Sequence, residues 1–230
     1  MAYTNSNLAT YKNLSPHKTS PRGHKIDTIT IHCLVGQWTA KRGCDYFATT
    51  NRKCSANYVV GKDGSIGLSV EEKDRSFCSS NKANDHRAIT IEVASDTTHP
   101  YVVTDKAMNS LIELVTDICK RNKIKKLKWK ADKTLIGQVD KQNMTVHRWF
   151  ANKSCPGDYL YNKHSYIAEQ VNKKLGTTSL FPTKSLDDWA KEVIAGKHGN
   201  GHTNREKSLK KSGCSYSYAK VRAKVNALLK

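Results

Sequence analysis

Two β-branched runs, KIDTITIHCL (25–34) and HRAITIEVAS (86–95), constrain this chain more than any other feature. Val, Ile and Thr at this density favour the extended backbone, where a branched Cβ packs without crowding. In the second run Ile89, Ile91 and Val93 fall on one face, while Thr90 and Glu92 share the other. One side of that strand therefore belongs to a core, and the other carries a carboxylate. The first run reads as a buried strand ending at His32. A third β segment, CSANYVVGKDGSIGLSV (54–70), reads as a hairpin, because GKDG places turn residues between two apolar stretches.

Helical patterns alternate with these strands. WTAKRGCDYFATTNRK (38–53) sets Trp38 and the Tyr46–Phe47 pair at a spacing compatible with a helix. In TDKAMNSLIELVTDICKRN (104–122) the apolar positions recur at i, i+3 and i+4 behind a capping Thr104, and PGDYLYNKHSYIAEQVNKKLG (156–176) repeats the pattern between Pro156 and Gly176. Strands interspersed with helices predict an α/β (α+β) domain over residues 1–175, a central mixed sheet flanked by helices with a site on one face. A short polar break with Pro182, residues 176–185, predicts a linker. The remainder, 186–230, loses all strand signal and reads as helix, Gly-rich loop, helix, Gly turn, helix: a small three-helix module.

Charge narrows the partners. Lysine and arginine number 39 against 20 acidic residues, a formal net charge of +19. Either the protein is simply a soluble basic one, or its partner is a polyanion, nucleic acid or anionic cell wall, since a long-range field does not distinguish one phosphate polymer from another. The densest basic run is KRNKIKKLKWKADK, 120–133. No apolar run approaches the roughly 20 residues of a membrane span, and the polar N-terminus lacks the apolar stretch of a secretory signal. The expectation is a protein made in the cytoplasm that needs a separate release step to act outside. Seven cysteines, at 33, 44, 54, 78, 119, 155 and 214, form no CxxC pair. They read as reduced thiols, at most one of which needs a special role.

That one is Cys155. His32 at a strand end, His147 after the apolar MTV, and Cys155 in the loop before a helix lie where a sheet can gather them. Two imidazoles and a thiolate leave tetrahedral zinc a vacant fourth position, as a catalytic ion requires. Lys153 stands two residues before Cys155, suited to an oxyanion, and Glu92 projects from its strand, suited to accept a proton from water. Such a set hydrolyses amides. Two alternatives stay open on residue types alone: Cys155 as a nucleophile with His147 as its base, or ordinary core histidines beside an inert buried thiol.

TITIHCL, SANYVVGKDGSI, NDHRAITIEVAS and TVHRWFANKSCPG, in that order, resemble the successive blocks of type 2 N-acetylmuramoyl-L-alanine amidases of the peptidoglycan-recognition-protein fold, a family that includes many phage endolysins. The resemblance covers roughly residues 20–175. It implies one zinc ion held by His32, His147 and Cys155, with Glu92 and Lys153 as the catalytic pair. Some members use a tyrosine where the hairpin begins; here Ala56 stands there, with Tyr58 two positions on, which favours Glu92 as the base. Members also carry Trp before the NDHR block, where this chain reads RSFCSSNKANDHR and offers Phe77 to the groove wall.

The tail, AKEVIAGKHGNGHTNREKSLKKSGCSYSYAKVRAKVNALL, resembles the short cell-wall-binding repeats of phage lysins, in one copy and with His198 where Trp is common. Gly196, Gly199, Asn200 and Arg205 are the contacts it implies. Together the resemblances imply an endolysin that cleaves the amide between N-acetylmuramic acid and L-alanine and reaches the wall through a holin. The expected partners are bacterial peptidoglycan and anionic wall polymers, with no nucleic acid and no membrane span.

Overall fold

The computed structural model describes residues 3–176, 185–212, 214 and 216–229. In chain order its elements are β1 (Tyr11–Lys12), β2 (Lys18–Thr19), β3 (Thr28–Val35), α1 (Ala40–Thr49), β4 (Tyr58–Val60), β5 (Ile66–Leu68), β6 (Arg75–Ser76), α2 (Lys82–Arg87), β7 (Ala88–Ser95), α3 (Asp105–Arg121), β8 (Met144–Thr145), α4 (Gly157–Lys174), α5 (Leu186–Ile194), α6 (His202–Lys211) and α7 (Tyr218–Leu228). They form two compact units that divide after residue 178. The expected linker falls mostly on 177–184, outside the described residues.

In the first unit the main sheet runs β1-β5-β4-β7-β3-β8, with β2 and β6 pairing separately. β3 is parallel to both β7 and β8, and β4 is parallel to β7 but antiparallel to β5, so the sheet is mixed and the hairpin at 54–70 forms as its turn residues predict. The two β-branched runs lie side by side, Ile31 opposite Ile91 and His32 opposite Glu92. Ile29, Ile31, Ile89, Ile91 and Val93 turn to one face and join Leu111, Leu114 and Ile118 of α3 and Leu160, Ile167 and Val171 of α4 in the principal core. Thr104 caps α3 by accepting from the Ala107 amide, as its position before the apolar stripe predicts.

The opposite face is covered in part by α1, whose Ala40, Cys44 and Phe47 pack on Ala56 and Val59. This approach is close: a Cβ at Gly43 would sit 2.6 Å from Val59 Cγ1, and one at Gly67 only 2.5 Å from Cys44 Sγ. The remainder of that face holds His32 and Glu92.

One strand is shorter than its composition suggests. His86 and Arg87 end α2 rather than opening β7. The physical reason is the cap at Asn81, whose side chain accepts from the Asn84 amide and turns the following residues into a helix. The second unit is the expected three-helix module, with Trp189, Ala190, Val193, Leu209, Val221 and Val225 as its core. Ser185 and Asp188 form a reciprocal capping box at the start of α5.

Candidate metal centre and active site

Three chain segments bring the candidate ligands together. His32 is wholly buried on β3, facing away from the principal core. β8 runs alongside β3 and pairs Thr145 with Thr30, after which the chain enters a 3-10 turn at His147–Trp149. That turn sets the His147 ring edge-on to His32, centroids 5.2 Å apart. The loop then folds back, the Arg148 amide donating to the Cys155 carbonyl at 3.0 Å, and returns the thiol to the site just before α4. Cys155 Sγ lies 3.3 Å from His32 Nδ1, and one donor atom from each of His32, His147 and Cys155 falls within 4.8 Å of the others.

Glu92 arrives by register. It is the β7 partner of His32, and its Oε1 lies 4.0 Å from His32 Nδ1. Burial pushes its carboxyl up to about 7, near the value at which a base works best at neutral pH. Its Oε2 is buried and has no partner among the described residues. Burial holds the His32 imidazole well below its ordinary value, helped by the neighbouring His147 and His164. His147 is lowered too, by burial and then by the charge of Lys153. Both rings are thus neutral at neutral pH, the form that binds a metal. The Cys155 thiol is raised, first by its hydrogen bond with Cys33 and then by burial. Without a cation it stays protonated, which disfavours a thiolate nucleophile. Lys153 is exposed, and no carboxylate among the described residues pairs with its ammonium.

Two imidazoles and one thiol, neutral and converging beside an unpartnered carboxylate oxygen, fit zinc in an open site. Tyr58 is no rival base. It lies in the core on the other face, its hydroxyl donating to Glu72 Oε1 at 2.7 Å and accepting from the Ser6 amide at 2.8 Å. Phe77 is half-buried beneath the Arg75 guanidinium, 4.4 Å from its ring centroid.

Two residues at the site escaped the sequence. Cys78 Sγ donates to Glu92 Oε1 at 3.7 Å, and His32, Cys78 and Glu92 form a second set of donor atoms within 4.8 Å of one another. Ser80 Oγ is 2.9 Å from His147 Nε2. Besides Cys155, two further thiols lie close by: Cys33 is a hydrogen-bond partner of Cys155, and Cys78 contacts Glu92. The only sequence signal was the Asn81 cap, which fixes where the loop before α2 must end.

In the second unit Gly196 and Gly199 take left-handed conformations, at φ 74° and 72°. Arg205 Nε donates to the Gly199 carbonyl at 3.0 Å, and the Asn200 carbonyl accepts from Asn204 at 3.2 Å. Arg205 thereby braces the loop. His198 is buried against Trp189, with Nδ1 3.0 Å from Ser208 Oγ, so it fills the small core.

A family model described as N-acetylmuramoyl-L-alanine amidase matches residues 22–158, and one described as the CW_7 repeat matches 187–229. No curated protein matches the chain. Among solved structures, PlyL superposes with a TM-score of 0.50 at 17% identity, over 70% of this chain and 95% of its own. A selenomethionine derivative of AmpD gives 0.52 at 17%, over 73% and 99%. At such identities these two speak for the fold alone.

Proposed function

This chain belongs to the N-acetylmuramoyl-L-alanine amidase family, and from that premise we propose that His32, His147 and Cys155 hold one zinc ion while Glu92 and Lys153 carry the acid-base and electrostatic work. The reaction is hydrolysis of the amide between N-acetylmuramic acid and the L-alanine of the peptidoglycan stem. A zinc ion in such a site supplies Lewis acidity to the scissile carbonyl and to water. Glu92, with a pKa near 7, takes the proton of the attacking water and returns it to the departing amine. Lys153, exposed and without a carboxylate partner among the described residues, offers its ammonium to the oxyanion of the tetrahedral intermediate. The carrying observation is the convergence of His32, His147 and Cys155 next to the strand partner Glu92. Mass spectrometry of products from purified wall tests the reaction: a new free L-alanine amine on intact glycan chains is expected, and cleaved glycan with acylated alanine would refute it.

The same reading takes residues 1–175 as the catalytic domain and 186–230 as a wall-binding unit, with Gly196, Gly199, Asn200 and Arg205 at its contact loop. It makes the chain a phage-type endolysin, formed in the host cytoplasm and released through a holin.

Anionic wall polymers enter the proposal through a groove of about 440 Å³ lined by Lys25, Lys123, Lys125, Lys126 and Lys128. Its residues lead into β3 and β8 at their N-terminal ends, away from His32 and His147. The one acidic residue lining it, Asp27, is held in a bidentate pair by Arg87 at 3.0 and 2.7 Å. Among the described residues none of the five lysines pairs with a carboxylate, so their field is uncompensated. The double variant Lys125→Glu/Lys126→Glu is expected to weaken wall association by about 3- to 10-fold at low ionic strength, and to differ little from wild type once salt shortens the Debye length to about 3 Å. Co-sedimentation with purified wall across a salt series measures this; equal binding at low salt refutes a role for the groove.

A further inference from the structure

The segment that joins β6 to α2 touches both halves of the active site, and nothing in the amidase reaction as described uses it. Cys78 contacts Glu92 and Ser80 contacts His147. Its placement is not casual. The buried Asp85 of α2 accepts from the Cys78 amide at 3.1 Å, from the Ser79 amide at 3.2 Å and from the Ser79 hydroxyl. Ser79 Oγ in turn accepts from Asn84 Nδ2 at 2.9 Å.

Asn84 extends this anchorage to the ligand-bearing strands. Its Nδ2 donates to Thr30 Oγ1 at 3.1 Å, its Oδ1 accepts from Thr145 Oγ1 at 2.9 Å, and the two threonine hydroxyls lie 2.7 Å apart. Thr30 and Thr145 stand two residues before His32 and His147. On β3 that spacing puts Thr30 on the face of His32. The loop is therefore locked to β3 and β8 by buried hydrogen bonds, which hold such groups rigidly because leaving any one unmade is costly.

Ser80 itself sits at φ 58°, the left-handed region that a residue with a Cβ seldom adopts. A serine kept there points to its side chain. The two imidazoles differ in this respect: His32 Nε2 is buried with no partner among the described residues, whereas His147 Nε2 has Ser80. His32 is fixed by full burial and by Cys155 Sγ at 3.3 Å from its Nδ1, whereas His147 is half-buried in a turn and has Ser80 at its Nε2.

We propose that Ser80 is a positioning residue for the metal centre: its Oγ accepts from His147 Nε2–H, which fixes the ring and keeps the lone pair on Nδ1 for the ion. This rests on the reading of His147 as a zinc ligand. Partners of this kind set tautomer and orientation, and their loss typically lowers metal affinity by about 10- to 100-fold.

The test uses the full chain with Ser80→Ala, Ser80→Gly and, as control, His147→Ala. Zinc affinity is measured by competition with a chromophoric chelator, and the His147 tautomer by imidazole nitrogen shifts of the metal-free protein. Ser80→Gly relieves the left-handed strain, so it is expected to melt no lower than wild type. Both Ser80 variants are nevertheless expected to bind zinc about 10- to 100-fold more weakly, and wild type to show the Nε2–H form. Zinc affinity within twofold of wild type in both variants, or an Nδ1–H tautomer in wild type, overturns the proposal. If His147→Ala binds zinc as wild type does, the ligand assignment itself fails, an outcome distinct from loss of the Ser80 effect alone.

Discussion

Glu92→Gln is expected to lower kcat/KM for muropeptide hydrolysis by about 10²- to 10⁴-fold, the usual worth of a positioned general base, with zinc content unchanged. The substitution keeps the shape of the side chain and an oxygen for the Cys78 thiol to donate to, and takes away only the capacity to accept a proton. Glu92 lies on the central strand β7 between β3 and β4, paired with His32 on one side and Val59 on the other. A mutation that disturbed the strand would therefore disturb the ligands as well. Gln avoids this, since a neutral amide is not penalised by the burial that raises the carboxyl to about 7. Steady-state kinetics on a soluble muropeptide, together with metal analysis of the same preparation, make the comparison. A rate within tenfold of wild type at full zinc occupancy would assign the proton transfer elsewhere. Loss of zinc together with rate would instead make Glu92 part of the metal's own environment.

The sheet was legible because its central strands obey a simple rule. With Ile89, Ile91 and Val93 on one face, Glu92 had to lie on the other, and the structure puts it beside His32. The three-helix module and the cap at Thr104 were legible for similar local reasons. The loop at 78–80 was not. Its position is set by Asp85 and Asn84, whose partners lie on β3, on β8 and in the loop itself, and a left-handed serine carries none of the signal that a glycine or asparagine would. Nor do the two-residue strands β1, β2, β6 and β8 repeat often enough to show a period. What sequence periodicity conveys is which face a residue occupies. What it omits is the second layer of polar contacts that holds a reactive side chain at one angle.

Removing the proposed metal, or the thiol proposed to hold it, is expected to have the larger effect. Chelation of the wild-type protein should abolish hydrolysis and leave the fold in place, because the buried principal core of α3, α4 and the sheet includes neither His32 nor His147, and Cys155 only packs against its edge. This sets the site apart from small domains that fold only around zinc. The cost in stability is the linkage term alone, about 4 kcal/mol where free zinc stood at 1,000 times Kd, visible as a lower melting temperature with an unchanged circular dichroism spectrum. Adding zinc back restores activity to wild type. Cys155→Ala, which removes a proposed ligand outright, should lose more than the about 100-fold in affinity that a ligand's hydrogen-bond partner is worth, and micromolar zinc should not rescue its activity. The same pair of measurements separates metal chemistry from the nucleophile alternative. A Cys155 thiolate attacking the amide with a histidine base would be blind to the chelator and would form a thioester that mass spectrometry detects. Chelator-resistant hydrolysis, with Cys155→Ala still inactive, would therefore transfer the reaction from the ion to the sulfur.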